Sequence, residues 1–499
     1  MRANPEPNAW CPVLSIRRNT AYNLLGAAIP LAVSLVTIPV YLGLIGEARY
    51  GVLAIAWLLL GYFGLFDLGL GRATAQRIAA LRNSTPMERA QTFWTALTLN
   101  VGLGVIGGLL AWPIATYFFG DVFKIEDALR PEIEAAAPWL ALAVPMATFS
   151  GVLTGALQGR ERFLELNVIS VSGTVLFQLL PLVVAMLWGP DLGVLLPAAL
   201  FARLITLFTL FERCRRHVFH GHPATFVRAQ AGQLLRFGGW VTVTSFVGPM
   251  MVILDRFVIG ALSGAKAVSY YTVPFQLGER STIISSALTS ALFPRFAAAA
   301  PREEKRLAHE GLRSLVVVMT PLVAVGVLFV EPFLAWWITP AFAEQSAPVG
   351  QIILLGFWAN GFALVPYAQL QARGRPDLVA KCHLGEALPY FGLLYLGLHT
   401  LGLVGAAVAF SLRALVDFWL LASLSGMLRF SLRVLLLPSA LLTTAFLIAT
   451  LGHPGRPEWF ALVVLHLLIT LAWAWRQAPP PLRRLALRPI GALSKRENL

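Results

Sequence analysis

The chain has 499 residues, 57% of them hydrophobic and 13% charged, with a formal net charge of +14 and a mean hydropathy of +0.71. Soluble domains run nearer a quarter charged, so a soluble multidomain protein is excluded. What remains is a polytopic membrane protein, and its uninterrupted apolar runs point to helices rather than the short alternating segments of a barrel.

The stretch from Met1 to Ile16 has no apolar core followed by a small-residue cleavage site, so no cleaved signal peptide is expected. Cys11, Cys214 and Cys382 stand far apart and outside any motif, which gives neither a disulfide framework nor a metal site. Arg17 to Arg72 reads as a transmembrane hairpin. Tyr22 to Ile45 carries no charge and exceeds the roughly 20 residues a helix needs to cross a bilayer. Gly46 to Tyr50 makes a turn, and the uncharged run from Gly51 to Phe66 returns, with Asp67 at its foot. Apolar spans then recur along the chain, fourteen in all, at roughly 20–45, 50–71, 91–119, 136–158, 166–188, 193–211, 238–262, 269–293, 314–338, 348–371, 382–399, 402–424, 434–451 and 459–475. The expected fold class is therefore all-α, a polytopic membrane protein of about 14 transmembrane helices.

Lysine and arginine set the orientation. Clusters such as Arg72-Arg77-Arg82-Arg89, Arg213-Arg215-Arg216 and Arg302-Lys305-Arg306 fall on the side of the N-terminus, whereas the opposite side holds only Arg49, Lys124, Arg130, Lys266 and Arg456. The positive-inside rule then places both termini in the cytoplasm. It also absorbs most of the net charge, so nucleic-acid binding is not inferred. The outward loop from Gly120 to Glu134 is acidic, as that side requires. Six spans precede the basic connection at 212–237 and eight follow it. The glycine-rich turn Gly260 to Tyr270 echoes Gly43 to Tyr50, which suggests two six-helix lobes in tandem, although any two apolar hairpins look alike. The expected division is 1–211, 212–237, 238–425, and a terminal hairpin with a basic tail at 426–499. Because six spans restore the starting side, the repeats run parallel, and a substrate site is expected between them.

Ionisable groups inside spans are costly and usually functional. This chain keeps Arg203, Asp255, Arg256, Glu279, Arg280, Glu386, Arg413 and Asp417. Arg413 and Asp417 stand four apart on one helix face and read as a local ion pair. Asp255-Arg256 and Glu279-Arg280 are adjacent residues about 100° apart around a helix, so neither pair is expected to close within its own helix. They could pair from one helix to the other or face an aqueous cavity. Arg203 has no acid within a turn and needs water, a carbonyl or an anionic ligand. Arginines at membrane depth favour an anion, since a guanidinium stays charged and grips phosphate bidentately.

Other motifs carry less. Gly151, Gly155 and Gly159 form a small-xxx-small row suited to helix packing. His217, His220 and His222 lack partners at metal-ligand spacing. There is no phosphate-binding glycine loop, zinc-protease motif or nucleophile elbow, so no cofactor and no catalytic residue is expected.

Several words of the sequence carry a family resemblance. They are Asn23 through Tyr41, Leu44-Ile45-Gly46-Glu47-Ala48-Arg49-Tyr50-Gly51, Phe66-Asp67-Leu68-Gly69-Leu70-Gly71-Arg72 and Leu157-Gln158-Gly159-Arg160-Glu161-Arg162-Phe163. Leu254-Asp255-Arg256-Phe257-Val258-Ile259-Gly260, Gly374-Arg375-Pro376-Asp377 and Gly402-Leu403-Val404-Gly405-Ala406-Ala407 complete the set. Over about residues 17 to 425 the chain resembles the Wzx-type polysaccharide flippases, the O-antigen and exopolysaccharide translocases of the multidrug/oligosaccharidyl-lipid/polysaccharide exporter superfamily. The resemblance implies two six-helix lobes that move a polyprenyl-pyrophosphate-linked oligosaccharide outward across a bacterial inner membrane by alternating access. Peptidoglycan-precursor flippases of the superfamily carry an Arg-Asp pair in the first helix, and Tyr22 to Ile45 has none. Drug exporters usually lack the Asp67 to Arg72 word and the Asp255-Arg256 pair.

On this resemblance Arg256 and Arg280, helped by Arg72 and more weakly by Arg203, are expected to hold the pyrophosphate. Asp67, Asp255 and Glu279 are the expected gating or ion-coupling carboxylates. The expected partners are the lipid-linked oligosaccharide, membrane lipid, a polysaccharide polymerase and a chain-length regulator. The alternative is a cation-coupled multidrug exporter on the same fold. A glycosyltransferase or polymerase would need catalytic carboxylates on a long outward loop, and Gly120 to Glu134 is short. The site assignment depends on arginines that face an interior pocket with no acid of their own tying them up.

Overall fold

The computed structural model describes residues 12–62, 69–81, 84–124, 126–452, 454, 456–480 and 483. Among these the chain is helical throughout, with fifteen α-helices and no strand. They are α1 (Pro12–Tyr62), α2 (Leu70–Ala80), α3 (Pro86–Tyr117), α4 (Arg130–Gly159), α5 (Phe163–Trp188), α6 (Leu192–Cys214), α7 (Arg228–Ser263) and α8 (Ala265–Glu279). There follow α9 (Thr282–Ala298), α10 (Pro301–Trp337), α11 (Pro340–Ala372), α12 (Pro376–Leu401), α13 (Leu403–Ser425), α14 (Leu428–Leu451) and α15 (Pro457–Gln477). Ten described helices are long and apolar enough to cross a membrane. The protein is a multi-pass membrane protein.

Two departures separate these helices from the fourteen expected spans. One is the added short helix α2; the first two spans themselves both lie within α1, as two helices meeting at the turn expected there, at Gly46, whose φ of 78° lies in the left-handed region that glycine tolerates. The span expected at 269–293 is broken in two. At Arg280-Ser281 the hydroxyl of Ser281 donates to the carbonyl of Gly278 (2.7 Å), and that of Thr282 donates to the carbonyl of Glu279 (2.7 Å). Short hydroxyl side chains compete in this way for helical carbonyls, and α8 gives way to α9.

Local sequence sets the other boundaries. Thr85 caps α3 by accepting from the backbone N–H of Glu88, with Pro86 at the first helical position. Thr339 and Pro340 do the same for α11, where the threonine accepts from Phe342 N–H at 3.1 Å. Asp191 caps α6 through Gly193 N–H at 2.6 Å.

The chain divides into two compact units, residues 1–253 with 264–266 and residues 254–263 with 267–499. In the first, α3, α4 and α6 meet around Phe93, Val144, Leu153, Leu157 and Leu210. The glycine row on α4 packs onto α2: a Cβ at Gly155 would collide with the carbonyl oxygen of Gly71, and one at Gly159 would stand 2.7 Å from that of Ala75. In the second unit, Leu315, Met319, Val323, Phe362 and Phe418 join α10, α11 and α13. Leu442 of α14 and Trp459 of α15 belong to the same cluster.

Candidate functional site

Asp255 and Arg256 lie on α7 in the second unit, with relative exposures of 1% and 2%. Arg256 Nη1 donates to both carboxylate oxygens of Asp255, at 2.7 and 2.9 Å. The expectation that these neighbours cannot close within their own helix is therefore corrected. Their Cβ atoms do diverge, but the arginine stem is long enough to fold back. In a low-dielectric interior the alternative is a charge without water. The cation also stacks: its guanidinium carbon lies 3.9 Å from the ring centre of Phe275 and 5.3 Å from that of Tyr271. Two phenols complete the carboxylate's shell, since Tyr271 of α8 and Tyr390 of α12 each donate to Asp255 Oδ2 at 3.3 Å.

Tyr390 links this buried cluster to a cavity of about 630 Å³ between α12 and α13. Glu386, Tyr390 and Arg413 line it, with Lys381, Cys382 and apolar residues such as Leu412 and Leu420. The Arg413 guanidinium lies over Tyr390 and Phe410, 5.6 and 5.8 Å from the ring centres. The Asp417 carboxylate meets His383 Nε2 at 3.4 Å. Glu386 and Asp417 are each 6% exposed. Carboxylates, an imidazole, phenols and an arginine thus run from this cavity to Asp255 within one unit, an arrangement able to hold and exchange a proton.

The remaining predicted residues stand elsewhere. Arg280 is half-buried at the break between α8 and α9, with no ion-pair partner among the described residues. It lines an apolar cavity of about 410 Å³ with Ser281, Ile284, Gly326 and Phe329. Glu279, beside it, is exposed. No ion pair joins Asp255-Arg256 to Glu279-Arg280 among the described residues, so the cross-helix pairing considered from sequence is not formed. Arg203 lies in the first unit, where Nη2 donates to Ser150 Oγ at 3.4 Å and Nε is buried without a partner. Arg72 is exposed on α2. Asp67 lies outside the described residues. Within the second unit the structure therefore joins Asp255 to Arg256 and, among the described residues, forms no bond from either to Arg280, while Arg72 and Arg203 belong to the first unit.

Sequence reading missed Tyr271, Tyr390 and His383. Tyr271 does sit sixteen residues after Asp255, where a helix–turn–helix return could bring it back, but a tyrosine in an apolar run carries no such mark by itself. His383 is three residues before Glu386, and that spacing on one helix face is the only local sign of it.

With this geometry in view, comparison with known proteins is decisive on kinship. The family of polysaccharide biosynthesis proteins matches residues 16–300, more than half the chain. The chain belongs to this family. Among curated members it is 29% identical over 413 residues to a Shigella flexneri protein named as an O-antigen transporter, covering 82% of this chain and 97% of that one. It is 21% identical over 412 residues to the lipopolysaccharide biosynthesis protein WzxC of Escherichia coli K12, covering 81% and 80%. Among solved structures, the lipid II flippase MurJ in an inward closed conformation superposes with a TM-score of 0.67 at 11% identity, over 91% of this chain and 97% of that one. An inward-facing multidrug resistance transporter of the MATE family gives 0.66 at 16% identity, over 84% and 99%. These two likenesses show that the chain shares the fold of these transporters.

Proposed function

We propose that this family member flips polyprenyl-pyrophosphate-linked oligosaccharide repeat units from the cytoplasmic to the outer leaflet of a bacterial inner membrane, by alternating access. The observation that carries this reading is the relative named as an O-antigen transporter, matched over 97% of its length. Both termini would be cytoplasmic, as the distribution of lysine and arginine indicates.

Arg280 would contact the pyrophosphate first, since it has no ion-pair partner among the described residues and borders a cavity. Arg203 and Arg72 are the further anion contacts, and Asp67, Asp255 and Glu279 the gating or coupling carboxylates. Arg256 cannot act as first assigned while Asp255 holds it. A proton taken up by Asp255 would weaken that grip and free the guanidinium for phosphate, so one event would couple the proton to the substrate. Carrying one net negative charge outward is also favoured by about 2.3 kcal/mol per 100 mV of inside-negative potential.

Flipping of a fluorescent polyprenyl-pyrophosphate oligosaccharide in vesicles containing the purified protein tests the reading. Flipping that depends on the protein and falls at least tenfold in Arg280→Ala supports it. A deletion strain that keeps its surface glycan but becomes sensitive to cationic drugs would support the drug-exporter alternative.

A further inference from the structure

The first unit contains a polar cleft built from α2 and the start of α7. It has a volume of about 210 Å³ and is lined by Ala73, Gln76 and Arg77 of α2 and by Gln230, Gln233 and Leu234 of α7. Liquid water occupies about 30 Å³ per molecule, so the space is equivalent to about seven waters. The two walls belong to two basic connections that the distribution of lysine and arginine places on the same face of the membrane, the cytoplasmic one.

The hydrogen-bonding inventory of this cleft is uneven. Arg77 brings five N–H donors; its Nε is buried without a partner, and no described residue forms an ion pair with it. Gln230 has its carbonyl end occupied by the hydroxyl of Thr92, which donates to Oε1 at 3.2 Å, leaving the NH₂ as donor. The wall carrying it is fixed to α3 by a second bond, Val227 N–H to Thr95 Oγ1 at 3.0 Å. Gln76 and Gln233 supply one donor group and one acceptor each. Among the described residues no carboxylate lines the cleft.

A cleft with an unsatisfied guanidinium, surplus amide donors and two side-chain acceptors fits a ligand that offers anionic oxygens together with hydroxyl groups. We propose that this cleft is a binding site for a phosphate ester carrying free hydroxyls, taken from the cytoplasmic side. Two sources share that chemistry: the phosphorylated-sugar headgroup of the proposed flippase substrate, and an anionic phospholipid such as phosphatidylglycerol. Only the first rests on the flippase reading. There the cleft would be a loading site, where the headgroup docks before transport.

Native mass spectrometry of the full-length protein tests the site without requiring transport. Phosphatidylglycerol, phosphatidylcholine and glucose 1-phosphate are titrated separately against wild type, Arg77→Met, Arg77→Lys and the distant control Arg429→Met. The expected result is that phosphatidylglycerol or glucose 1-phosphate binds at least tenfold more weakly to Arg77→Met, and is unchanged by Arg429→Met. Arg77→Lys keeps the charge and loses the fork, so it should fall between. Gln76→Leu with Gln233→Leu, both at exposed positions, provides a second variant should Arg77→Met fail to fold, and should weaken the same ligand. Preference for glucose 1-phosphate identifies the sugar headgroup, and preference for phosphatidylglycerol identifies the lipid. Equal binding to wild type and both cleft variants, or a phosphatidylcholine response of the same size, overturns the proposal. Arg77-dependent lipid binding by a protein that flips nothing would instead remove the flippase reading and leave the site.

Discussion

Tyr390 on α12 donates its hydroxyl to the carboxylate of Asp255 on α7, across 135 positions of sequence, at 3.3 Å. Tyr271 donates to the same oxygen at the same distance. Two phenols on one carboxylate oxygen mean that the charge of Asp255 is met on one side by Arg256 and on the other by neutral donors from two further helices. The phenols therefore tie α8 and α12 to α7 through one atom. Tyr390→Phe keeps the ring and removes one donor, which should lower stability by about 1.5 kcal/mol, the low end for a bond to a charged group. Tyr271→Phe with Tyr390→Phe should cost at least about 2 kcal/mol, because the carboxylate then has only Arg256. Thermal unfolding of the purified protein in detergent measures both; no loss in the double variant would mean that these bonds contribute nothing.

The contact of α4 on α2 makes a second quantity measurable. A methyl at Gly155 would enter the carbonyl of Gly71, a backbone atom that cannot swing aside. Gly155→Ala should therefore destabilise the first unit by about 1–3 kcal/mol, the usual penalty of overpacking. Gly392, also helical, has nothing within 4 Å of its Cβ position. Gly392→Ala should stay within about 1 kcal/mol of wild type, in the direction set by helix propensity. Unfolding curves that show the two substitutions to be equivalent would refute the close approach.

How much of this could be read beforehand differs from residue to residue. The apolar spans were legible because the bilayer forces length and composition on every helix that crosses it. The row Gly151-Gly155-Gly159 was legible as a packing face, but not its partner at Gly71 and Ala75, since nothing local to α4 encodes which helix meets it. The break after Arg280 was written in the hydroxyls of Ser281 and Thr282, yet hydroxyls are ordinary in membrane helices and became informative only beside the broken ladder. Asp255 and Arg256 stood out as charges at depth. Their mutual bond did not, because helix geometry places Cβ atoms and says little about where a long arginine ends. Tyr390 could not be paired with Asp255 at all without the fold.

Outside the membrane, the ion pair between Lys266 and Glu126 offers a pH test. The ammonium stands 2.7 Å from Glu126 Oε1 and holds that carboxyl below its ordinary range, while Lys266 is raised in turn. A carboxyl whose folded value is depressed contributes above its unfolded value, about 4.3 for glutamate, and the contribution is lost as pH falls through the folded value. Wild type should accordingly unfold at slightly higher temperature than Lys266→Met at pH 7. The difference should shrink below pH 4 and with added salt, because both groups are solvent-exposed. A difference that persists unchanged at pH 3 would mean that Lys266 acts through packing.

The buried pair at Asp255 separates a structural from a coupling role when both residues are replaced together. Removing one partner strands the other charge in a dry interior, so Asp255→Leu alone should cost about 3–5 kcal/mol. Removing both charges relieves that penalty. Asp255→Leu with Arg256→Met fills a similar volume with apolar atoms and should recover most of the loss, or exceed wild type by about 1–4 kcal/mol. Stability alone cannot then distinguish a pair kept for folding from one kept for work, but the stable double variant can be assayed for transport. If Asp255 takes up the proton that frees Arg256 for phosphate, the double variant should unfold no more easily than wild type and yet flip labelled carrier at least tenfold more slowly. Transport at the wild-type rate would make the pair a packing element and would move the coupling carboxylate elsewhere, with Glu386 and Asp417 beside the neighbouring cavity as the next residues to replace.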